Sequence, residues 1–269
     1  MQQITSKENA LIKHIIKLKE KKYRTEYNEF VIEGAKIIKE AIEENANIKN
    51  LIISQDAINS ELVQRQLGEK LDKQEYILVP NSIFKLLTDV EKPQGVIAVI
   101  EKNRQNNQID FSEEIILILD NIQDPGNLGT IIRTADSVGL NQILVSKGTV
   151  DCYNSKVIRS TMGAFFRVNI IESNNLIDTV KQIQNNGFKV VTTSLQTNKS
   201  IYDIELKKTA IIVGNEANGV SKELMELSDI KAIIPMKGKT ESLNVAVATG
   251  VLLYEYVRQN FSLSIVKIE

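Results

Sequence analysis

Three stretches of this chain hold side chains whose types and spacing could do chemistry. The first runs Asn121-Ile-Gln-Asp-Pro-Gly-Asn127-Leu-Gly-Thr-Ile-Ile-Arg133. Pro125 and Gly126 set a turn and Asn127 is placed to cap the following helix, so free amides and a positive helix end would face an anion there. Arg133 lies six residues beyond, in the second turn, from where it reaches back toward the same point. Read alone, this is an ordinary capped helix with a surface arginine. The second stretch is Ile211-Ile-Val-Gly214-Asn-Glu216-Ala-Asn-Gly219-Val-Ser221. Its glycine spacing resembles a phosphate-binding loop, which would make a nucleotide hydrolase, but Val220 stands where that loop needs lysine and Glu216 sets a carboxylate among its amides. A glycine-rich turn with one acid better suits a neutral or cationic ligand that the backbone approaches closely. A tight strand-to-helix turn with no ligand is the plain alternative. The third stretch runs from Ile234-Pro-Met236 to Ser242-Leu243-Asn244, ahead of small and apolar residues that predict a deeply buried helix. Polar groups at the mouth of such a helix need partners, and capping alone would supply them.

These stretches must be positioned by alternating strands and helices. Beyond residue 114, strands are expected at 115–119, 142–145, 166–170, 189–193, 210–213 and 232–235. Helices are expected at 127–138, 155–162, 176–185, 221–227 and 242–259. That alternation calls for a mainly parallel sheet with helices on both faces, whose ligands bind where strands turn into helices. The first hundred residues predict a smaller α/β unit: two helices between residues 6 and 42 parted by a strand ending at Gly34, strands at 48–53, 76–79 and 95–99, and helices at 60–71 and 81–87. Residues 101–112 are too polar for a core element. The expected domains are therefore 1–105 and 114–269, with a linker at 106–113.

Composition narrows the chemistry. The 269 residues hold 33 basic and 34 acidic side chains, so any nucleic-acid signal must be local. One is present: Lys7 to Arg24 carries seven Lys/Arg against two Glu. Lys7, Lys13, Lys17, Lys21, Lys22 and Arg24 are its candidate phosphate contacts, although exposed lysines also serve solubility. A single cysteine, Cys152, and a single histidine, His14, exclude a disulfide framework, a Cys-rich zinc site and His-based triads. Cys152 reads as a bystander thiol and His14 as a surface or packing residue. No metal is expected. With no signal-peptide pattern and no apolar run of membrane-spanning length, the expectation is a cytoplasmic protein. No Gly-x-Gly-x-x-Gly fingerprint occurs, which argues against an ordinary dinucleotide fold.

Taken in order, Asn127-Leu-Gly with Arg133, Gly214-Asn-Glu216 with Gly219, and Ile234-Pro-Met236 with Ser242-Leu-Asn244 resemble the three signature motifs of the SpoU/TrmH family of RNA 2'-O-ribose methyltransferases, within the SPOUT class. The stretch Ile158-Arg-Ser-Thr-Met-Gly-Ala-Phe-Phe-Arg-Val168 is similar too. Thr5-Ser-Lys-Glu-Asn and Phe30-Val-Ile-Glu-Gly34 resemble the family's auxiliary RNA-binding domain, itself similar to ribosomal proteins that grip bent RNA.

The resemblance implies an α/β C-terminal domain threaded as a deep trefoil knot, a rare topology. It implies S-adenosylmethionine held by Thr193, Gly214, Asn215, Glu216, Gly219, Ile234, Met236, Ser242, Leu243 and Asn244. It also implies a homodimer with the site near the subunit interface, and methyl transfer to a ribose 2'-hydroxyl centred on Arg133. An arginine is a poor base, so clamping a phosphate or steadying the developing alkoxide is its expected role, with proton abstraction left open. Asn127 would orient it or the ribose, Glu216 would fix the arginine or the cofactor, and Ser242 and Asn244 would complete the site. Ribosomal RNA, 23S above all, is the expected substrate. A transfer-RNA ribose methyltransferase, a base methyltransferase of the same class and a non-catalytic RNA-binding protein are the alternatives.

Overall fold

The structure, a computed structural model, describes residues 2–71, 74–102 and 108–261. In chain order its first elements are β1 (Gln2–Gln3), α1 (Ala10–Lys17), α2 (Lys21–Tyr27), β2 (Glu29–Glu33), α3 (Ala35–Glu43), β3 (Ile48–Ser54), α4 (Glu61–Leu71), β4 (Ile77–Val79), α5 (Asn81–Leu87) and β5 (Val96–Glu101). There follow β6 (Ile115–Leu119), α6 (Pro125–Ser137), β7 (Gln142–Ser146), α7 (Ser155–Thr161), β8 (Asn169–Ser173), α8 (Leu176–Asn185), β9 (Lys189–Thr193), β10 (Thr209–Val213), α9 (Lys222–Leu227), β11 (Ile230–Ala232) and α10 (Val245–Asn260).

They form two compact units. The first is Met1–Gln105 together with Asp151–Arg167, and the second is Asn106–Val150 together with Val168–Glu269. The segment around α7, which follows β7 in the chain, thus belongs to the first unit.

In the first unit the sheet order is β1-β4-β3-β5-β2, with β5 antiparallel to both neighbours. Helix α1 starts because the Asn9 side chain accepts the Leu11 N–H at 2.9 Å. It then buries Ile12, Ile15 and Leu18, spaced three apart, against Ile52, Phe84 and Ile97. The segment at α7 is held by aromatic packing, with Phe30 5.0 Å from Tyr153 and 5.5 Å from Phe165. Phe165 closes a short 3-10 turn, Ala164–Phe166, which is why the strand expected at 166–170 begins only at Asn169.

The second unit is a six-stranded, wholly parallel sheet in the order β11-β9-β10-β6-β7-β8. The two central strands, β6 and β10, bury all five of their residues, as strands covered on both faces must. Ile116, Ile118 and Ile212 pack with α8 and α9, while α6 and α10 pack on each other. Ile109 and Phe111, from the stretch expected to be a linker, also pack against that core, and the Phe111 ring lies 6.2 Å from Phe188. Residues 106 and 107 lie outside the described residues.

Two other boundaries move. The last strand is Ile230–Ala232 rather than 232–235, and α10 begins at Val245 because the Asn244 side chain accepts the Ala246 and Val247 amides. Helix α10 is also not buried all round, since Val247 and Tyr254 are more than half exposed. Among the described residues no helix is long and apolar enough to cross a membrane, and no group of three or more His, Cys, Asp or Glu could hold a metal ion.

Candidate active site

The three loops meet at the carboxyl end of the central strands of the second unit. β6 is followed directly by Asp120, a carboxylate only 4% exposed. A buried acid needs partners, and this one accepts the Ser221 backbone N–H at 2.8 Å and the Asn121 side-chain N–H at 2.9 Å. It therefore fixes the start of α9 to the end of β6. Sequence reading passed over Asp120; its signal was a lone acid closing a fully apolar strand.

Helix α6 is capped by Asp124, whose side chain accepts the Asn127 N–H at 2.8 Å, with Pro125 in the first turn. Asn127, expected to be the cap, is instead inside the first turn, and this frees its side-chain amide for other contacts. It donates from Nδ2 to Glu216 Oε1 at 3.0 Å and accepts at Oδ1 from Asn244 Nδ2, also at 3.0 Å. One primary amide thus joins all three loops.

The second loop is a tight turn closed by two backbone bonds between Asn215 and Gly219, both 2.9 Å. The Asn215 side chain accepts the amides of Ala217 and Asn218 and donates to the Asn121 carbonyl at 2.8 Å. A Cβ on Gly214 would stand 2.1 Å from the Val220 backbone nitrogen, so only glycine fits there.

Glu216 does not reach Arg133, as one expectation had it. Its carboxylate faces Asn127 and the backbone N–H groups of Gln123 and Asp124. Partial burial works to raise its pKa, but the bonds from Asn127 and from the amides outweigh that and hold it below the usual carboxylate range. Asp124 and Glu216 together occupy the amides at the start of α6. The anion expected at that helix end is supplied by the chain itself.

Arg133, on α6, is exposed and makes no hydrogen bond or ion pair among the described residues. Ser242 is exposed and likewise unbonded. Thr193, at the end of β9, donates weakly to the Ile212 carbonyl at 3.4 Å. Ile234 and Met236 are half-buried and Leu243 is 38% exposed. The loops therefore offer apolar side chains, backbone groups and neutral amides, with the Glu216 carboxylate turned toward Asn127 and that of Asp124 capping α6. Such a lining fits a nucleoside bearing a sulfonium and is unsuited to a polyphosphate. A cleft of about 590 Å³ in the same unit, beside Ser173, Asn175 and Thr179, shares no residue with the three loops.

In the first unit Lys7, Lys13, Lys17, Lys21 and Lys22 are exposed, as RNA contacts must be. Arg24 is not. It is 6% exposed and donates from Nε (3.0 Å) and Nη2 (2.6 Å) to Asp151, and from Nη1 to the carbonyls of Leu18 and Lys19. Every face of its guanidinium is engaged, so it holds the α7 segment rather than a phosphate. His14 is bonded to Glu29 at 2.6 Å and lies edge-on to Tyr27, which makes it a packing residue.

Two family profiles match the chain. A profile of the SpoU rRNA Methylase family matches residues 114–254, and one of the MRM3-like substrate binding domain matches residues 9–98. The 23S rRNA (guanosine(2553)-2'-O)-methyltransferase RlmP of Bacillus subtilis is 36% identical over 94% of this chain and 98% of its own length. The AdoMet-bound rRNA methyltransferase from Sinorhizobium meliloti superposes with a TM-score of 0.83 at 32% identity, covering 97% of this chain and 99% of that one. The SpoU methyltransferase AviRb from Streptomyces viridochromogenes, in complex with AdoMet, gives a TM-score of 0.81 at 27% identity, over 93% and 98% of the two chains.

Proposed function

The chain belongs to the SpoU rRNA methylase family, and from that premise we propose that it transfers a methyl group from S-adenosylmethionine to a ribose 2'-hydroxyl of 23S ribosomal RNA. The observation that carries this reading is Asn127, which draws Glu216 and Asn244 to within 3.0 Å, while the exposed Arg133 guanidinium on the same helix has no partner among the described residues. A matching family without that arrangement would fit a fold kept only for binding.

The cofactor would be held by the turn at Gly214, Asn215 and Gly219, by Ile234, Met236 and Leu243, and by Thr193, and it supplies a methyl group made electrophilic by its sulfonium. As the ribose O–H bond loosens and its proton passes to solvent, the oxygen gains negative charge; that charge is spent in forming the bond to the methyl carbon, while the carbon–sulfur bond breaks and the neutral thioether leaves. Arg133 brings a planar guanidinium, which is a poor base. Its part is to hold an RNA phosphate or that developing charge, not to take the proton. Asn127 keeps the first turn of α6 in register with the other loops, and positioning of this kind lowers the barrier by orienting the reacting groups. Glu216 and Asn244 act through Asn127, while Ser242 is free to touch substrate.

The active form is a homodimer. Val247 and Tyr254 on α10, 54% and 55% exposed, and Leu243 in the loop before it, 38% exposed, are exposed apolar side chains, and Tyr254 lies within 3.4 Å of Ser137 on α6, four residues beyond Arg133. A second copy of this chain would cover these side chains beside the site. Sedimentation of the wild type as a dimer and of Tyr254→Lys as a monomer tests this. The reaction belongs in the cytoplasm, with the ribosomal RNA.

Labelled S-adenosylmethionine and 23S rRNA from cells lacking the gene provide the direct test. The label should enter RNA at a ribose whose 3' linkage resists alkali. Label in a base, or none in the presence of bound cofactor, would reject the reading.

A further inference from the structure

Where α1 meets α2, two tyrosines lie over one another. Tyr23 and Tyr27, one helical turn apart on α2, stack with ring centroids 6.1 Å apart and planes 12° from parallel. Tyr27 is the inner ring. It packs against the apolar core of its unit and takes the edge of His14 at 4.7 Å, and His14 is in turn fixed by Glu29. Tyr23 is the outer ring, half-buried and not among the residues packed on that core.

The ammonium groups of Lys17 and Lys22 each lie 5.5 Å from the Tyr23 centroid. Neither has a carboxylate partner among the described residues, whereas neighbouring Lys13 pairs with Glu8 and Lys19 with Asp89. Two cations held against one ring suit an anion beside that ring. The ring itself is half-buried and backed by a second ring. A partner that brings both a flat π-face and flanking anions satisfies both features at once.

We propose that Tyr23, backed by Tyr27, is a stacking platform for an unpaired base of the substrate RNA, with Lys17 and Lys22 holding the phosphates on either side of it. The proposal rests on the reading of the chain as an RNA methyltransferase and adds which form of RNA its first unit selects. Bases in an A-form duplex are stacked on their neighbours and keep their faces out of reach, whereas splayed bases of loops and bulges stack on aromatic rings beside cationic side chains.

The test uses the full chain, a fluorescein-labelled single-stranded oligoribonucleotide of mixed sequence, and a blunt duplex of the same composition. Tyr23→Leu is expected to weaken single-strand binding about tenfold and to leave duplex binding within about twofold of wild type. Tyr23→Trp should keep wild-type affinity and lose fluorescence as the single strand is added; the chain has no other tryptophan, so the signal reports that position alone. Thermal melts followed by circular dichroism serve as the folding control, since Tyr23 lies in the first unit and the cofactor loops in the second. Unchanged single-strand binding by Tyr23→Leu, an equal loss on both RNAs, or an unquenched tryptophan overturns the platform. A wild type that binds the cofactor but neither RNA overturns the underlying reading instead.

Discussion

Asn127 donates its side-chain N–H to Glu216 at 3.0 Å, and through that bond the loop after β6 is tied to the loop after β10. The same amide accepts from Asn244, so its donor and acceptor ends are both used and cannot be exchanged. Asn127→Asp, nearly identical in shape, replaces the donor with an acceptor facing a carboxylate. Single-turnover methyl transfer should fall by about 100-fold, the scale on which misplaced reacting groups lose rate. Full activity in this variant would show that the three loops do not need to be tied.

Glu216 makes the same bond sensitive to acid. Its folded pKa lies below the ordinary value of 4.5, so the ionised form is favoured by folding. That contribution is complete above the unfolded pKa and disappears as pH falls through the folded one. Thermal melts of wild type and Glu216→Gln should therefore differ at pH 7 and converge below about pH 4.5. Curves that stay parallel down to pH 3 would mean that the carboxylate is not held by Asn127 in solution.

Much of this architecture was legible in the amino-acid order, for reasons visible at particular residues. Ile115–Leu119 is apolar at every position because β6 lies at the centre of a sheet covered on both faces, and the spacing of Asn127, Gly214 and Asn244 marked the loops. Arg24 was misread because counting charge along a segment says nothing of burial, and its partner Asp151 is distant in sequence. The capping role given to Asn127 belongs to Asp124, a reading that the Asp-Pro pair supports by local rules alone. The target of the Glu216 carboxylate depends on which loops the sheet order brings together, which no local pattern contains.

The two glycines of the second loop should respond very differently to alanine. At Gly214 the new Cβ would meet backbone, 2.1 Å from Val220 N and 2.2 Å from the Gly219 carbonyl carbon, and backbone cannot step aside as a side chain can. The turn must open, and S-adenosylmethionine affinity measured by calorimetry should fall at least about tenfold, the effect of 1–3 kcal/mol of overpacking. At Gly219 nothing lies within 4 Å and only the positive φ of 69° resists, a cost of roughly 1–2 kcal/mol in stability. Equal effects at both positions would mean that the loop is not packed as described.

Arg24 should matter to folding rather than to RNA affinity. Its guanidinium and the Asp151 carboxylate are 7% and 14% exposed, and removing one member of a buried pair leaves the other charge stranded. Arg24→Ala should cost about 3–5 kcal/mol in denaturant unfolding of its unit. Lys21→Ala, which removes an exposed ammonium, should change stability by less than about 0.5 kcal/mol. A stable Arg24→Ala protein that binds RNA weakly would return this residue to the RNA face.

Arg133 presents the opposite case, a charged side chain on which the fold places no demand. It is exposed and unbonded among the described residues, so Arg133→Ala should unfold within about 0.5 kcal/mol of wild type. Cofactor affinity should also be unchanged, since no hydrogen bond or ion pair among the described residues ties Arg133 to the turn at Gly214. If the guanidinium steadies charge on the ribose oxygen, transfer should fall by about 10²–10³, the loss seen when one such donor is removed from a catalytic site. Arg133→Lys separates charge from geometry. A lysine restores a cation but not the planar pair of donors, so activity recovered only in part would assign the difference to two-point contact with phosphate or alkoxide. Methyl transfer by Arg133→Ala at the wild-type rate, with RNA saturating, would remove Arg133 from the chemistry altogether.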